Sequence, residues 1–301
     1  MRKKTAMLYR VIIAAMILLG WISNGAEAQK KVVVCSTTQI CDFTRQIVGD
    51  DWEVLCVLAP GQDPHTYQTR IEDAEMVQRA DLCLENGWHL EGAEWMRRLA
   101  ENSSKTIVTC ITGVQPLKIE EQDGFVNDPH AWFAPANAAI YVRNILRAVS
   151  EIDPANAHRF QQRAELYLGE LNALNNWIND QINQIPAERR VLVTHHDAFG
   201  YFCKTFGFRP ISPAGWTTEE IGGISVERRQ AVVDSIRATG VAAIFVETSL
   251  DQRMISEIAR DAGVKIGGHL YSDAMGPRGT AGETYIGMMR ENVLTIVAAL
   301  K

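Results

Sequence analysis

Hydrophobic side chains in this chain follow two habits. They bunch into short, β-branched runs, and between the runs they recur every third or fourth position. A short apolar run bounded by turn residues suits a strand buried on both faces, whereas a three-four recurrence suits an amphipathic helix. Their alternation predicts βαβ units and parallel sheets. The first strands are expected at 31–35 (KVVVC), 53–58, 81–85 and 105–110, with helices near 41–49, 69–79, 92–101 and 135–150. A second set starts at 189–194 (RRVLVT) and continues at 209–212, 242–247 and 264–268. Its helices are expected near 197–206, 225–239, 251–262 and 281–299.

One stretch between the two sets is different. Apolar positions Phe160, Ala164, Tyr167, Leu171, Leu174, Ile178, Ile182 and Ile185 keep one helical face for many turns, and Pro186 ends it. Asp153 suits the N-cap and Pro154 the first helical position. Some thirty residues would make a rod of about 45 Å. Such a rod is too stiff for a flexible linker. The expected fold is therefore α/β, with two lobes, each a mainly parallel sheet flanked by helices, bridged by one long rigid helix. The lobes are assigned to 29–150 and 187–301, and the bridge to 151–186.

The N-terminus belongs to neither lobe. Arg2, Lys3, Lys4 and Arg10 precede the apolar run VIIAAMILLGWI (11–22), and an Ala-x-Ala pattern ends at Ala28. These are the parts of a cleaved secretion signal, residues 1–28, and the run is short for an uncleaved membrane anchor. No cysteine follows the cleavage point to carry a lipid. The mature chain is expected to be secreted, soluble and periplasmic. Of the 30 basic and 36 acidic residues, the leader removes four basic ones and Glu27, leaving 26 and 35, a formal charge of −9. With no basic stripe, nucleic acid is not an expected partner.

An oxidising compartment makes the cysteines matter. Cys35, Cys56, Cys83 and Cys110 fall in or at the end of strand-like runs and read most simply as buried core residues. No C-x-x-C spacing suggests metal ligation. Cys41 and Cys203 are left open.

The tripeptide Asp-Pro-His occurs twice, in GQDPHTYQ (61–68) and NDPHAWFAP (127–135). Proline fixes its own φ and pushes the residue before it into an extended shape, so each histidine is presented in a restricted direction. Ligands of open α/β sheets collect at the carboxyl ends of strands. His65, His130, His196 and Asp273 all follow expected strands, two from each lobe. His195 adjoins His196 and competes with it for the same role, while His89, His158 and His269 read as surface residues. The pair HHD lacks the H-x-H-x-D-H spacing of metallo-hydrolases, and no H-E-x-x-H is present. GPRGTAG (276–282) reads as a loop before a helix, not a phosphate cradle.

Taken together, PGQDPHTYQ, ENGWHLEG, NDPHAWF, VTHHDAFGYF and LYSDAMGPRGTAGETYIGMMRENVLTI resemble the motifs of the TroA-like metal-binding solute-binding proteins of zinc/manganese ABC importers. The likeness runs through essentially the whole mature chain in order. It implies a metal in the interlobe cleft, with His65, His130, His196 and Asp273 as its ligands, and no bond made or broken. It also implies a membrane permease as partner and a monomer that delivers its cargo there. Three imidazoles and a carboxylate suit a borderline divalent cation. The histidine-free stretch 112–127 and the presence of Asp273 lean towards Mn2+. An imidazole at position 196 leans towards Zn2+, and Fe2+ is a further candidate. Asp63, Asp128, Asp197 and Glu247 are candidates to orient the imidazoles. The rival readings are a secreted zinc-dependent hydrolase, which needs an open coordination position, and a surface adhesin stabilised by metal.

Overall fold

The computed structural model describes residues 30–121, 124–218 and 225–301. The expected signal, residues 1–28, lies outside the described residues. Among those described, no helix is long and apolar enough to cross a membrane.

The first half is a four-stranded parallel sheet. Strands β1 (Lys31–Cys35), β2 (Trp52–Cys56), β3 (Leu82–Glu85) and β4 (Ile107–Thr109) lie in the order β2-β1-β3-β4. Helices α1 (Thr38–Val48), α2 (Ile71–Gln78), α3 (Trp95–Asn102) and α4 (Pro135–Ile152) connect and follow them. The β-branched runs are strands here because both faces of the sheet are covered. Val33 and Cys35 face the large core, whereas Val32, Val34 and Cys83 face a smaller one completed by Val77, Trp95 and Met96. Thr37 and Pro135 mark the starts of α1 and α4, the first as a side-chain cap and the second at the first helical turn.

One element was not anticipated. Within 112–127, strands β5 (Lys118–Glu121) and β6 (Gly124–Asn127) form an antiparallel hairpin. Its charged sequence, KIEE, hides the alternation that announces a half-buried strand.

The long helix α5 spans Ala157–Ile182, 26 residues and about 39 Å at the usual rise. It starts three residues later than expected because Asp153 has other partners. Its carboxylate accepts from the Trp52 indole N–H at 3.1 Å and from Asn156 Nδ2 at 2.9 Å, which holds 153–156 in a turn. The helix does tie the two halves together. Arg163 donates to Val48 O and Asp51, and Phe160 packs edge-on against Trp52. Towards its other end, Arg290 lies 5.0 Å over the Trp177 ring.

The second half has two parallel pairs. These are β7 (Val191–Val193) with β8 (Arg209–Ile211), and β9 (Ala243–Glu247) with β10 (Lys265–Leu270). Helices α6 (Gly200–Phe206), α7 (Val226–Thr239), α8 (Arg253–Ala262) and α9 (Tyr285–Leu300) cover them. The core is continuous between the halves: Phe43, Tyr141, Tyr167, Phe199, Phe245 and Tyr285 belong to one buried cluster.

The cysteines require a correction. Cys56 is not a free core thiol but is bonded to Cys41, with their Cα atoms 6.0 Å apart, where α1 lies over β2. Cys35, Cys83, Cys110 and Cys203 are free and buried. Burial pushes the Cys83 thiol up to about 11 and the Cys35 thiol up to about 12, so neither supplies a thiolate at neutral pH.

Candidate metal centre

The two Asp-Pro-His turns fold alike. In each, the aspartate Oδ1 accepts the backbone N–H of the histidine two residues on, at 2.9 Å. This is the local side-chain-to-backbone bond that favours aspartate in turns. Proline keeps the chain extended into it, so the histidines are aimed by local chemistry. The loop 86–92 then braces both turns at once. Asn86 Nδ2 donates to Pro129 O at 3.0 Å, and Gly92 abuts the His65 carbonyl so closely that a Cβ there would lie 2.2 Å from it. The Gly92 φ of +47° adds a second reason for glycine.

The other two side chains come from strand ends in the second half. His196 follows β7, and Asp273 follows β10. Glu247, the last residue of β9, organises the first of these. Its Oε1 accepts the backbone N–H groups of His195 and His196 at 2.8 and 3.1 Å, and its Oε2 lies 2.8 Å from His196 Nδ1. Asp273 is held from the first half: Gln39 Nε2 donates to Ser272 O at 3.1 Å, and Thr38 Oγ1 accepts the Met275 N–H at 2.9 Å.

These loops converge. One donor atom from each of His65, His130, His196 and Asp273 lies within 4.8 Å of every other, and all four residues are buried. His65 Nε2 and His130 Nε2 are 3.2 Å apart, and Asp273 Oδ1 and Oδ2 lie 3.3 Å from His130 Nε2 and His196 Nε2. His195 is not in the group. Its ring turns the other way, with Nδ1 accepting the Glu247 N–H at 3.2 Å and Nε2 3.2 Å from Asp251 O. His89, His158 and His269 are exposed.

Of the four acids expected near the imidazoles, two touch one. Asp128 Oδ1 lies 2.8 Å from His130 Nδ1, and Glu247 reaches His196. Asp197 is bonded to Ser212, and Asp63 to the hydroxyls of Thr66 and Thr218. His65 Nδ1, although buried, consequently has no hydrogen-bond partner among the described residues. Nothing in the sequence separates Asp63 from Asp128, because both sit in the same tripeptide. Trp216, edge-on to the His65 ring at 6.0 Å, was also not anticipated, and the surrounding AGWTTE offers no signal for it.

Electrostatics divide the imidazoles in the same way. Burial without a carboxylate on its outer nitrogen pushes His65 down to about 3. Burial also opposes the charging of His130 and His196. There Asp128, Glu247 and Asp273 outweigh it and raise both above the ordinary histidine value. Burial would raise Asp273, but His196 and His130 hold it well below the usual carboxylate range. Both oxygens of Asp273 and His196 Nε2 are buried without hydrogen-bond partners. Buried, unpaired and inward-facing lone pairs are costly unless something cationic satisfies them. Three nitrogens and a carboxylate at this spacing could hold a borderline divalent ion.

Comparison with known proteins agrees with that chemistry. The family model described as zinc-uptake complex component A, periplasmic, matches residues 33–299. The chain belongs to this family. Its relatives include the manganese-binding lipoprotein MntA of Halalkalibacterium halodurans, 33% identical with 99% of each chain covered. The manganese ABC transporter substrate-binding lipoprotein PsaA of Streptococcus pneumoniae is 32% identical, again over 99% of each. Among solved structures, the periplasmic zinc-binding protein TroA of Treponema pallidum shares 34% identity with a TM-score of 0.84, covering 90% of this chain and 99% of that one. A manganese-bound periplasmic metal-binding protein of Candidatus Liberibacter asiaticus shares 29% identity with a TM-score of 0.80, covering 90% and 100%. Proteins similar to this chain are thus named for manganese and for zinc, and the two solved structures share its fold.

Proposed function

We propose that this chain captures one divalent transition-metal ion, Mn2+ or Zn2+, on His65, His130, His196 and Asp273. It then presents the ion to the membrane permease of an ABC importer. The observation that carries the reading is the convergence of three imidazoles and a carboxylate, all buried, within 4.8 Å. With Glu247 and Asp273 held as carboxylates and the histidines neutral, the pocket is anionic. A divalent cation offsets most of that charge. Ligands must shed their protons to bind it, so capture weakens as pH falls.

The secretion signal at 1–28 would place this step in the periplasm, and the acidic mature chain works as a monomer without nucleic acid. Four protein donors leave little room for an activated water, which argues against a hydrolase. Release is a local shift of loops at the permease, since one core and one long helix run through both halves. Scattering profiles with and without metal should then give nearly the same radius of gyration. A large change would overturn that part.

The direct test is calorimetry of the chelator-stripped protein with Mn2+ and Zn2+ separately. One tight equivalent, lost in His65→Ala, is the expected result. No stoichiometric uptake of either ion would mean that the histidines are structural.

A further inference from the structure

The side chains of His65, His130, His196 and Asp273 have no solvent exposure, so an ion cannot reach or leave them unless a neighbouring group moves. The walls of the cluster differ in how firmly they are held. Behind His130 stand the buried Asp128 and Trp132, and behind His196 stands the buried Glu247. Asp273 is flanked by buried Ser272, Ala274 and Met275. On the His65 side, among the described residues, stands Trp216, which is only half-buried.

Trp216 also borders open space. It lines a surface groove of about 400 Å3 together with Trp88, His89, Glu94 and Phe125. Among the described lining residues it alone comes from the second half of the chain. Among the described residues, Trp216 both lines the groove and packs on the imidazole that has no carboxylate on its outer nitrogen.

The segment carrying it has a fixed base and a reaching tip. Ser212 is bonded to Asp197, Ala214 N–H donates to His195 O at 3.1 Å, and Gly215 O accepts the Asp197 N–H at 3.0 Å. Beyond that point the contacts change sides. Trp216 meets His65, and the Thr218 hydroxyl donates to Asp63 of the first half. Meanwhile the backbone around His65 is clamped, with Trp95 Nε1 donating to Pro64 O at 2.9 Å and Gly92 pressed on the His65 carbonyl. The main chain of the turn cannot easily yield. The indole and the free imidazole can.

Resting on the metal-capture reading, we infer that Trp216 is the gate of the metal centre and that the Thr218–Asp63 hydrogen bond is its latch. In this assignment Asp63 does different work from Asp128. It holds the gate shut across the two halves instead of orienting an imidazole.

The test is kinetic. Metal-loaded protein is mixed rapidly with excess chelator, and the release rate is measured beside the uptake rate of stripped protein, with Mn2+ and Zn2+ as probes. Trp216→Ala should raise uptake and release together, each by about tenfold, leaving the equilibrium affinity within about threefold. Thr218→Val should raise release by about fivefold, the worth of one hydrogen bond, and Thr218→Ser should restore it. Weaker affinity with unchanged uptake in Trp216→Ala would make the indole mere packing and overturn the gate. So would unchanged release in both Trp216→Ala and Thr218→Val. Absence of stoichiometric binding in the parent protein would instead sink the metal-capture reading, which the calorimetric titration detects separately.

Discussion

The two Asp-Pro-His turns form a controlled comparison within one molecule. Each delivers a histidine to the same cluster, and each aspartate spends one oxygen on the same backbone N–H. They differ in the second task. Asp128 turns back onto its own histidine ring, whereas Asp63 reaches away to Thr218 in the other half of the chain. The consequence is visible in the charge state. The carboxylate-backed His130 is raised, and the unbacked His65 is pushed down to about 3. One tripeptide yields a histidine backed by a carboxylate and a histidine without one, because Asp128 Oδ1 serves both the backbone N–H and the ring of His130, whereas the second oxygen of Asp63 is taken by threonine hydroxyls.

The largest effect should come from removing what both turns share. Asp273 is the carboxylate that faces the Nε2 atoms of both His65 and His130, and in Asp273→Ala those inward nitrogens lose their negative partner while Asp128 stays behind the His130 ring. Structural metal sites distribute well over 10 kcal/mol across about four ligands, so the affinity should fall by about a thousandfold. A competition titration against a chelator of known strength would measure it. A loss below about tenfold would mean that the three imidazoles suffice and that neither turn depends on the carboxylate.

Next comes the base of the first turn. β2 runs directly into 57–65, and its last residue is bonded to Cys41 across a separation of 15 residues. The second turn has no covalent tie. Reduction should therefore lower the unfolding free energy by about 3 kcal/mol in the chain-entropy account. Urea titrations with and without a reductant would show it. Metal stoichiometry should stay at one, because neither sulfur belongs to the donor cluster.

The sharpest comparison substitutes the two aspartates themselves. Asp128→Asn removes the charge behind His130 and should cost 10- to 100-fold in affinity, the usual range for a group that orients a metal ligand. Asp63→Asn should cost less than about threefold at equilibrium and speed release instead. Equal losses in both variants would erase the distinction between a bracing and a latching aspartate.

The sequence reading reached the fold and the cluster for different reasons. Strands such as 31–35 and 243–247 were legible because parallel sheets buried on both faces demand unbroken apolar runs. The convergence of His65, His130, His196 and Asp273 was legible because each stands just beyond such a run or in a repeated tripeptide. The hairpin at 118–127 was not, since its polar strands carry no burial pattern, and the Cys41–Cys56 pair was not, since spacing alone does not specify which helix lies over which strand. His195 and His196 could not be separated by position. Their fates diverge through Glu247, which lies 51 residues from His196 in sequence and takes both backbone N–H groups yet only one ring. Trp216 and Thr218 owe their places to loop packing between the halves, which leaves no local signature.

The smallest predicted effect concerns the brace beneath both turns. Glu91 sits in the loop that presses Gly92 on His65 and holds Asn86 against Pro129. Its carboxylate is fully buried, accepting from Asn86 N–H at 2.6 Å and from the Ser36 hydroxyl at 2.7 Å. Burial raises it from the ordinary 4.5 to about 7. A carboxyl whose folded value lies above its unfolded one binds its proton more tightly in the folded state, so stability falls as pH rises between those values and levels off above them. Between pH 5 and 7, Glu91 should remove about 1 kcal/mol of stability per pH unit. Glu91→Gln should flatten that slope. His130 and His196 are also raised and add a fall of their own in both proteins, so the readout is the difference between parent and variant in metal-free urea titrations across this range. If the two curves run parallel, Glu91 is ionised throughout and the brace beneath the turns does not respond to pH. If they converge towards pH 5 and separate towards 7, one buried proton strengthens the support of both histidine turns in mild acid, the condition in which the donors themselves hold metal less well.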